Sequence, residues 1–228
     1  MSRPASPLPQ RDLVDVRLVA AIDTGGCVLC AVRTRSEAAE IDSILAERVQ
    51  DLGFRAGLEV DQAFCRRHVR ALLATDRQTS GILSSAILFR SILDRRLGRL
   101  RHALAARGRT RRRRLEVFAQ RPTCPACGQG AAAVEVAMAR LVHRSADPAW
   151  AAVIGEIPFC LDDLGQLIGV AADSAPFRPV VERQLARLGE LAARLEGYAH
   201  NSAQDRRQLL TDEQRTAADD ASRLLGGD

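Results

Sequence analysis

The stretch Gly26-Cys27-Val28-Leu29-Cys30 returns, altered in detail, as Thr123-Cys124-Pro125-Ala126-Cys127. Each is followed by a second motif, Phe64-Cys65-Arg66-Arg67-His68 after the first and Phe159-Cys160-Leu161-Asp162-Asp163 after the second. Cys27 to Cys124 and Cys30 to Cys127 each span 97 residues, while Cys65 to Cys160 and His68 to Asp163 each span 95. All 6 cysteines belong to this pattern. So regular an offset reads as a duplicated metal-binding unit.

The residue types suit a metal. Two donors three residues apart lie on one helical turn or tight knuckle and point the same way, and two such pairs build a tetrahedron. Thiolate and imidazole are ligands of structural zinc, and helices starting at each pair would turn their positive ends towards the sulfurs. Grouping by proximity in sequence gives one site from Cys27, Cys30, Cys65 and His68, and a second from Cys124, Cys127, Cys160 and Asp163. Aspartate is a rarer partner in sulfur-rich structural sites, with Asp162 or His143 as substitutes. The other reading of the second copy is a degenerate repeat held by packing alone. An iron–sulfur cluster, or thiol redox chemistry at Cys27, Cys30 and Cys65, is the alternative to zinc.

Composition narrows the class. A chain of 228 residues with 46% hydrophobic content has room for two units of about 100 residues. No apolar run reaches the roughly 18 residues of a membrane span. The proline-rich N-terminus lacks a secretory apolar block. These features imply a cytoplasmic protein with reduced thiols and no membrane partner. All 33 basic residues are arginine. From Arg95 to Arg114 there is no acid, and Arg95, Arg96, Arg99, Arg101, Arg107, Arg109, Arg111, Arg112, Arg113 and Arg114 together exceed the chain's net charge of +5. This run suits nucleic-acid phosphates, but the favoured reading is a solvated linker between the copies. Aromatic residues are only 4% of the chain, so stacking platforms for single strands are scarce.

Apolar periodicity predicts helices throughout, an all-α fold of two tandem pseudo-repeats, each of about four helices with one metal site. Asp12 to Asp23 forms the first helix, stopped by Gly25-Gly26. A second carries Ala38, Ile41, Ile44, Leu45, Val49 and Leu52; a short third carries Val69, Leu72 and Leu73. Ser80 opens a long fourth, with Ile82, Ala86, Phe89, Leu93, Leu97, Leu100 and Leu104 on its core face. In the second copy a helix leads into Cys124, and another carries Val134, Val136, Met138, Leu141 and Val142. A short one carries Leu164, Leu167 and Ile168. A long one opened by Ser174 carries Val181, Leu185, Leu188, Leu191, Leu195 and Tyr198. The expected division is 1–11 disordered, 12–106 first repeat, 107–115 arginine-rich linker, 116–200 second repeat, and 201–228 a polar tail. That tail has at most a short helix near Thr211. Trp150 reads as a core anchor beside the helix start Asp147-Pro148.

This order of motifs, over roughly Leu13 to His200, resembles a family of bacterial proteins known only as a domain of unknown function. The resemblance implies a duplicated helical architecture and that grouping of ligands. Members often carry histidine in both copies, and this chain departs from them at Asp163. No phosphate loop, Ser/His/Asp ordering or helical His-Glu-x-x-His stands out. His102 and His200 read as solvated or packed side chains. The expectation is a non-catalytic, zinc-stabilised helical module that binds an unknown protein partner.

Overall fold

A computed structural model describes residues 8–58, 63–79, 81–116, 123–171, 174–202 and 209–226. Among these residues the regular structure is helical: α1 (Leu13–Ile22), α2 (Val28–Ser43), α3 (Leu52–Gly57), α4 (Arg66–Thr79), α5 (Leu83–Ala105), α6 (Gly108–Glu116), α7 (Pro125–Arg144), α8 (Pro148–Ile154), α9 (Leu161–Ala171), α10 (Arg178–Asn201) and α11 (Asp212–Gly226). A π-helical turn, Ile44–Arg48, follows α2, and a 3-10 turn, Ala175–Phe177, leads into α10. No strand forms among the described residues, although Ala63 N–H donates to the Thr123 carbonyl at 3.1 Å.

Local chemistry explains the ends. Asp12 caps α1 by accepting from the N–H groups of Val14 and Asp15 at 3.0 and 3.1 Å. Gly25, at φ +77°, supplies the left-handed turn that stops α1 before Cys27. Asp147 and Pro148 start α8 as the sequence predicts, and Trp150 behind them is fully buried, its indole N–H donating to the Pro9 carbonyl at 3.2 Å. α11 opens with a reciprocal capping box in which Thr211 and Gln214 each accept the other's backbone N–H at 3.2 Å.

The chain forms two compact units, and neither coincides with an expected repeat. The terminal unit contains residues 1–33 and 133–228; the central unit contains residues 34–132. The boundaries expected at 107–115 are therefore displaced into α2 and α7. The physical reason is that long-range packing, not chain order, selects which helices share a core. The terminal core gathers Leu18, Leu29, Leu141, Trp150, Ile154, Phe159, Leu167 and Phe177. The central core is smaller and is built on Ile41, Ile44, Leu58, Leu72 and Leu88.

Four further expectations change. Residues 8–11 of the expected disordered N-terminus are tied down, since Leu8 packs on the terminal core and Arg11 N–H donates to Asp15 at 2.9 Å. Residues 108–116, which take in nearly all of the expected arginine-rich linker, form a helix, because arginine is a good helix former and α6 packs back on α5, where Arg114 donates to the His102 carbonyl at 3.0 Å. The tail holds a 15-residue helix docked on α10, with Ala217 buried. The predicted core face of α5 is largely exposed, and Ser85, Leu88 and Ala103 are buried instead. Ser80, residues 1–7, the segment leading into Cys124 (117–122) and the tail residues 203–208 lie outside the described residues.

Candidate metal centres

All four donor pairs are built alike. Cys27, Cys65, Cys124 and Cys160 each immediately precede a helix (α2, α4, α7 and α9), and Cys30, His68, Cys127 and Asp163 are each the third residue of it. In each pair the first donor's carbonyl accepts the first helical hydrogen bond, from Ala31 at 3.0 Å, Val69 at 2.9 Å, Gly128 at 2.9 Å and Leu164 at 2.8 Å. Both side chains of a pair therefore face outward from a helix N-terminus, where the helix dipole favours negative charge.

The tertiary structure pairs these ends differently from the sequence reading. Cys65 and His68 meet Cys124 and Cys127 in one cluster; Cys27 and Cys30 meet Cys160 and Asp163 in the other. In each cluster the four donor atoms lie within 4.8 Å of one another. The eight residues are those singled out from the sequence, but each expected site is split and its halves exchanged. Sequence proximity misassigns them because a donor pair is a local object, whereas its partner is set by which helix ends pack together. Neither Asp162 nor His143 substitutes for Asp163, since neither belongs to a cluster and both are exposed.

The histidine cluster, in the central unit, places His68 Nδ1 at 3.3 Å from Sγ of Cys65, Cys124 and Cys127. Cys65 and Cys127 sulfurs are 3.8 Å apart. With zinc–sulfur bonds of about 2.3 Å, a tetrahedron has S–S edges of about 3.8 Å. On the far side of the imidazole, His68 Nε2 lies 3.3 Å from Glu37, whose other oxygen pairs with Arg67 at 2.6 Å. A carboxylate holding the outer nitrogen fixes the ring so that Nδ1 is free to ligate. Burial works against the Cys65 thiolate, but backbone donors at His68 and Arg67 and the neighbouring thiols bring its pKa below the ordinary value. Burial and the adjoining Cys124 push Cys127 up to about 12.

In the aspartate cluster, in the terminal unit, all four residues are buried. Asp163 Oδ2 lies 3.2 Å from Cys30 Sγ and 3.4 Å from Cys27 Sγ, and Cys30 and Cys160 sulfurs are 3.8 Å apart. The other carboxylate oxygen, Oδ1, accepts from Arg33 at 2.7 Å. One oxygen thus faces the thiols while the guanidinium holds the other. Burial alone would raise the Asp163 pKa, but the hydrogen bonds from Arg33, Cys30 and Cys160 outweigh it and hold the carboxyl below its ordinary value. Burial, with Asp163 and Cys27 alongside, pushes the Cys30 thiol far up. Burial likewise takes Cys160 to about 11, against a backbone hydrogen bond at Asp163. Grouped buried thiols hold their protons in this way until a cation replaces them.

Sequence reasoning missed Arg33 and Glu37. Arg33 lies three residues beyond Cys30, one helical turn further along α2, a spacing that could have drawn notice. Glu37 carried no comparable local signal. The arginines from Arg95 to Arg114 lie on α5 and α6, with Arg107 between them, and join neither cluster. His102 and His200 are exposed and also lie outside both. Among the described residues no helix is long and apolar enough to cross a membrane. No protein-family model, curated protein or solved structure matches this chain.

Proposed function

We propose that the protein is a non-catalytic helical interaction module whose two units are each held by one structural zinc ion. The observation that carries this reading is the pair of four-donor clusters at helix N-termini with near-tetrahedral edges. Four protein ligands leave no open coordination position for a substrate. Zinc would draw together helix ends that are distant in sequence, so its binding energy adds to folding.

Charge accounting supports two occupied sites. Three thiolates and a neutral imidazole around a divalent cation leave one negative charge, and the nearby Glu37 and Arg67 cancel each other. Three thiolates and a carboxylate leave two, of which Arg33 neutralises one. The aspartate copy thereby reaches the same balance as the histidine copy. On this reading Asp163 is a ligand with its own counter-ion and not a decayed histidine.

Elemental analysis with an absorbance spectrum, on protein purified anaerobically without added metal, tests the proposal. Two zinc ions per chain and no visible absorbance are expected. Iron with visible charge-transfer bands would overturn zinc in favour of a cluster and redox work. Cobalt substitution separates the sites, because Cys3His and Cys3Asp ligand fields differ in their visible spectra.

A further inference from the structure

Unit by unit, the two long helices have different surroundings. In the terminal unit α10 is covered by α11, an amphipathic helix with Asp212, Glu213, Asp219 and Asp220 against Arg215 and Arg223. Ala217 is buried, Arg194 pairs with Asp220 at 3.2 Å, and Gly197 leaves the space that Gln214 fills. In the central unit α5 has the short basic helix α6 against it, and a line of apolar side chains stays open. Ile82, Leu93, Leu97, Leu100 and Leu104 are exposed, from 38% at Leu100 to 57% at Leu93 and Leu104.

The spacing of this line is informative. Ile82, Ala86, Phe89, Leu93, Leu97, Leu100 and Leu104 follow one another at intervals of four and three residues, which is a seam for a second helix. At 3.6 residues per turn, Arg90 and Arg101 fall on one flank and Arg96 on the other. Residues 83–116 contain eleven arginines and only two acids, Asp94 and Glu116. A leucine seam between basic flanks complements an acidic amphipathic helix, the same chemistry that covers α10 within this chain. Nucleic acid would answer the arginines but leave the leucines in water.

We propose that the exposed seam of α5 docks an acidic amphipathic helix of a partner protein, through Leu93, Leu97, Leu100 and Leu104 with Arg96 and Arg101 as its charged rim. This rests on reading the protein as an interaction module and names the surface it would use. Apolar seams of this length are rare on surfaces that meet only solvent. A helix in such a groove is recognised at positions i, i+4, i+7 and i+11, the spacing found here.

The test uses the full chain and a fluorescent synthetic helix with leucines at four- and three-residue spacing and glutamates around them. Saturable binding is expected at about 0.15 M salt. It should weaken about tenfold or more in Leu97→Gln/Leu100→Gln, with metal content and helical circular dichroism unchanged. The same peptide with lysine for glutamate, and a duplex DNA of similar length, should bind more weakly. Equal affinity for the wild type and the glutamine variant overturns the proposal, as does tighter binding of the DNA. So does a wild-type dimer that the variant dissolves, which would show a second copy on the seam. Metal is measured on the same samples, so absence of peptide binding by the wild type at full metal content defeats the seam alone, and absent metal defeats the structural-zinc reading. If the first variant misfolds, Leu93→Gln/Leu104→Gln replaces it.

Discussion

The terminal and central units solve one problem with different materials. Each brings two helix N-termini together around four donors. The terminal unit buries all four residues of its aspartate cluster, whereas the central unit leaves Cys65 and Cys127 partly exposed in its histidine cluster. The terminal core holds Trp150, Phe159 and Phe177; the central core has no aromatic side chain as deeply buried among the described residues. The terminal unit also buries an ion pair, Asp15 with Arg144, and covers its long helix with α11. Where the protein has more core, it also seals its ligands; where it has less, the cluster and the long helix remain in contact with solvent. The lesson is that one local device can serve as a buried clasp or an accessible one, according to the packing around it.

The most demanding test of this comparison concerns the exchanged pairing. In the double variant Cys27→Ser/Cys160→Ser both substitutions fall in the aspartate cluster, so zinc should drop from about two ions per chain to about one. Pairing by sequence proximity would damage two sites at once, and loss of both ions would reject the arrangement described here. The remaining ion should show the Cys3His signature in cobalt spectra.

Next in size is the buried ion pair that distinguishes the terminal unit. Arg144 is 3% exposed at its side chain, so Asp15→Ala strands a buried guanidinium. The expected cost is about 3–5 kcal/mol. Trp150, with Arg144 over its ring at 5.9 Å, reports the unfolding by fluorescence. Burial opposes the Asp15 carboxylate, but hydrogen bonds from Arg144 and Arg11 hold its pKa below the ordinary 3.8. Its contribution is therefore full above that value and is lost as pH falls through the lowered one. A variant as stable as the wild type would remove this difference between the units.

The residues behind the ligands should matter less, and differently, in the two clusters. Arg33→Ala takes away the counter-ion of Asp163, and zinc at the aspartate cluster should bind about 10–100-fold more weakly. Glu37→Ala should weaken the histidine cluster within the same range, towards its lower end, since the imidazole remains neutral and ligating. Competition against a chromophoric chelator reads both. A larger loss for Glu37→Ala than for Arg33→Ala would refute the charge accounting.

The smallest effect is an order of release. Each thiol must lose its proton to bind zinc, so affinity falls as pH falls, and at any given pH it is lower where the thiols are harder to ionise. Cys30 is raised far above the ordinary value and Cys160 to about 11, while in the histidine cluster Cys65 is lowered and Cys127 is raised to about 12. At equilibrium the aspartate cluster should thus empty first on acidification below neutrality. In a chelator challenge at fixed neutral pH the rates should reverse, because Cys65 and Cys127 are accessible and all of the aspartate cluster is buried. Identical order in both experiments would mean that exposure does not govern release.

Much of this molecule is written locally. Asp12, Gly25, Asp147-Pro148 and the periodic leucines mark helix starts, stops and faces, because capping and periodicity act within a few residues. The eight donors were legible too, since placing two side chains on one helical turn requires only a spacing of three. The boundaries between the units were not legible: they fall inside α2 and α7, continuous helices whose sequence carries no break. Nor did periodicity tell a covered face from an open one. The seam of α5 and the apolar side of α10 look equivalent on paper, and what differs is the presence of α11.

The sequence by itself determined the helices, the donor residues and their placement in pairs, for these depend on near neighbours along the chain. Only the tertiary structure decided that Cys65 and His68 face Cys124 and Cys127, that Asp163 is held by Arg33, and that the leucine seam of α5 stays exposed. Each of those facts joins residues far apart in the chain or depends on what is packed alongside, and such choices are made by the burial of whole helices rather than by any short run of residues.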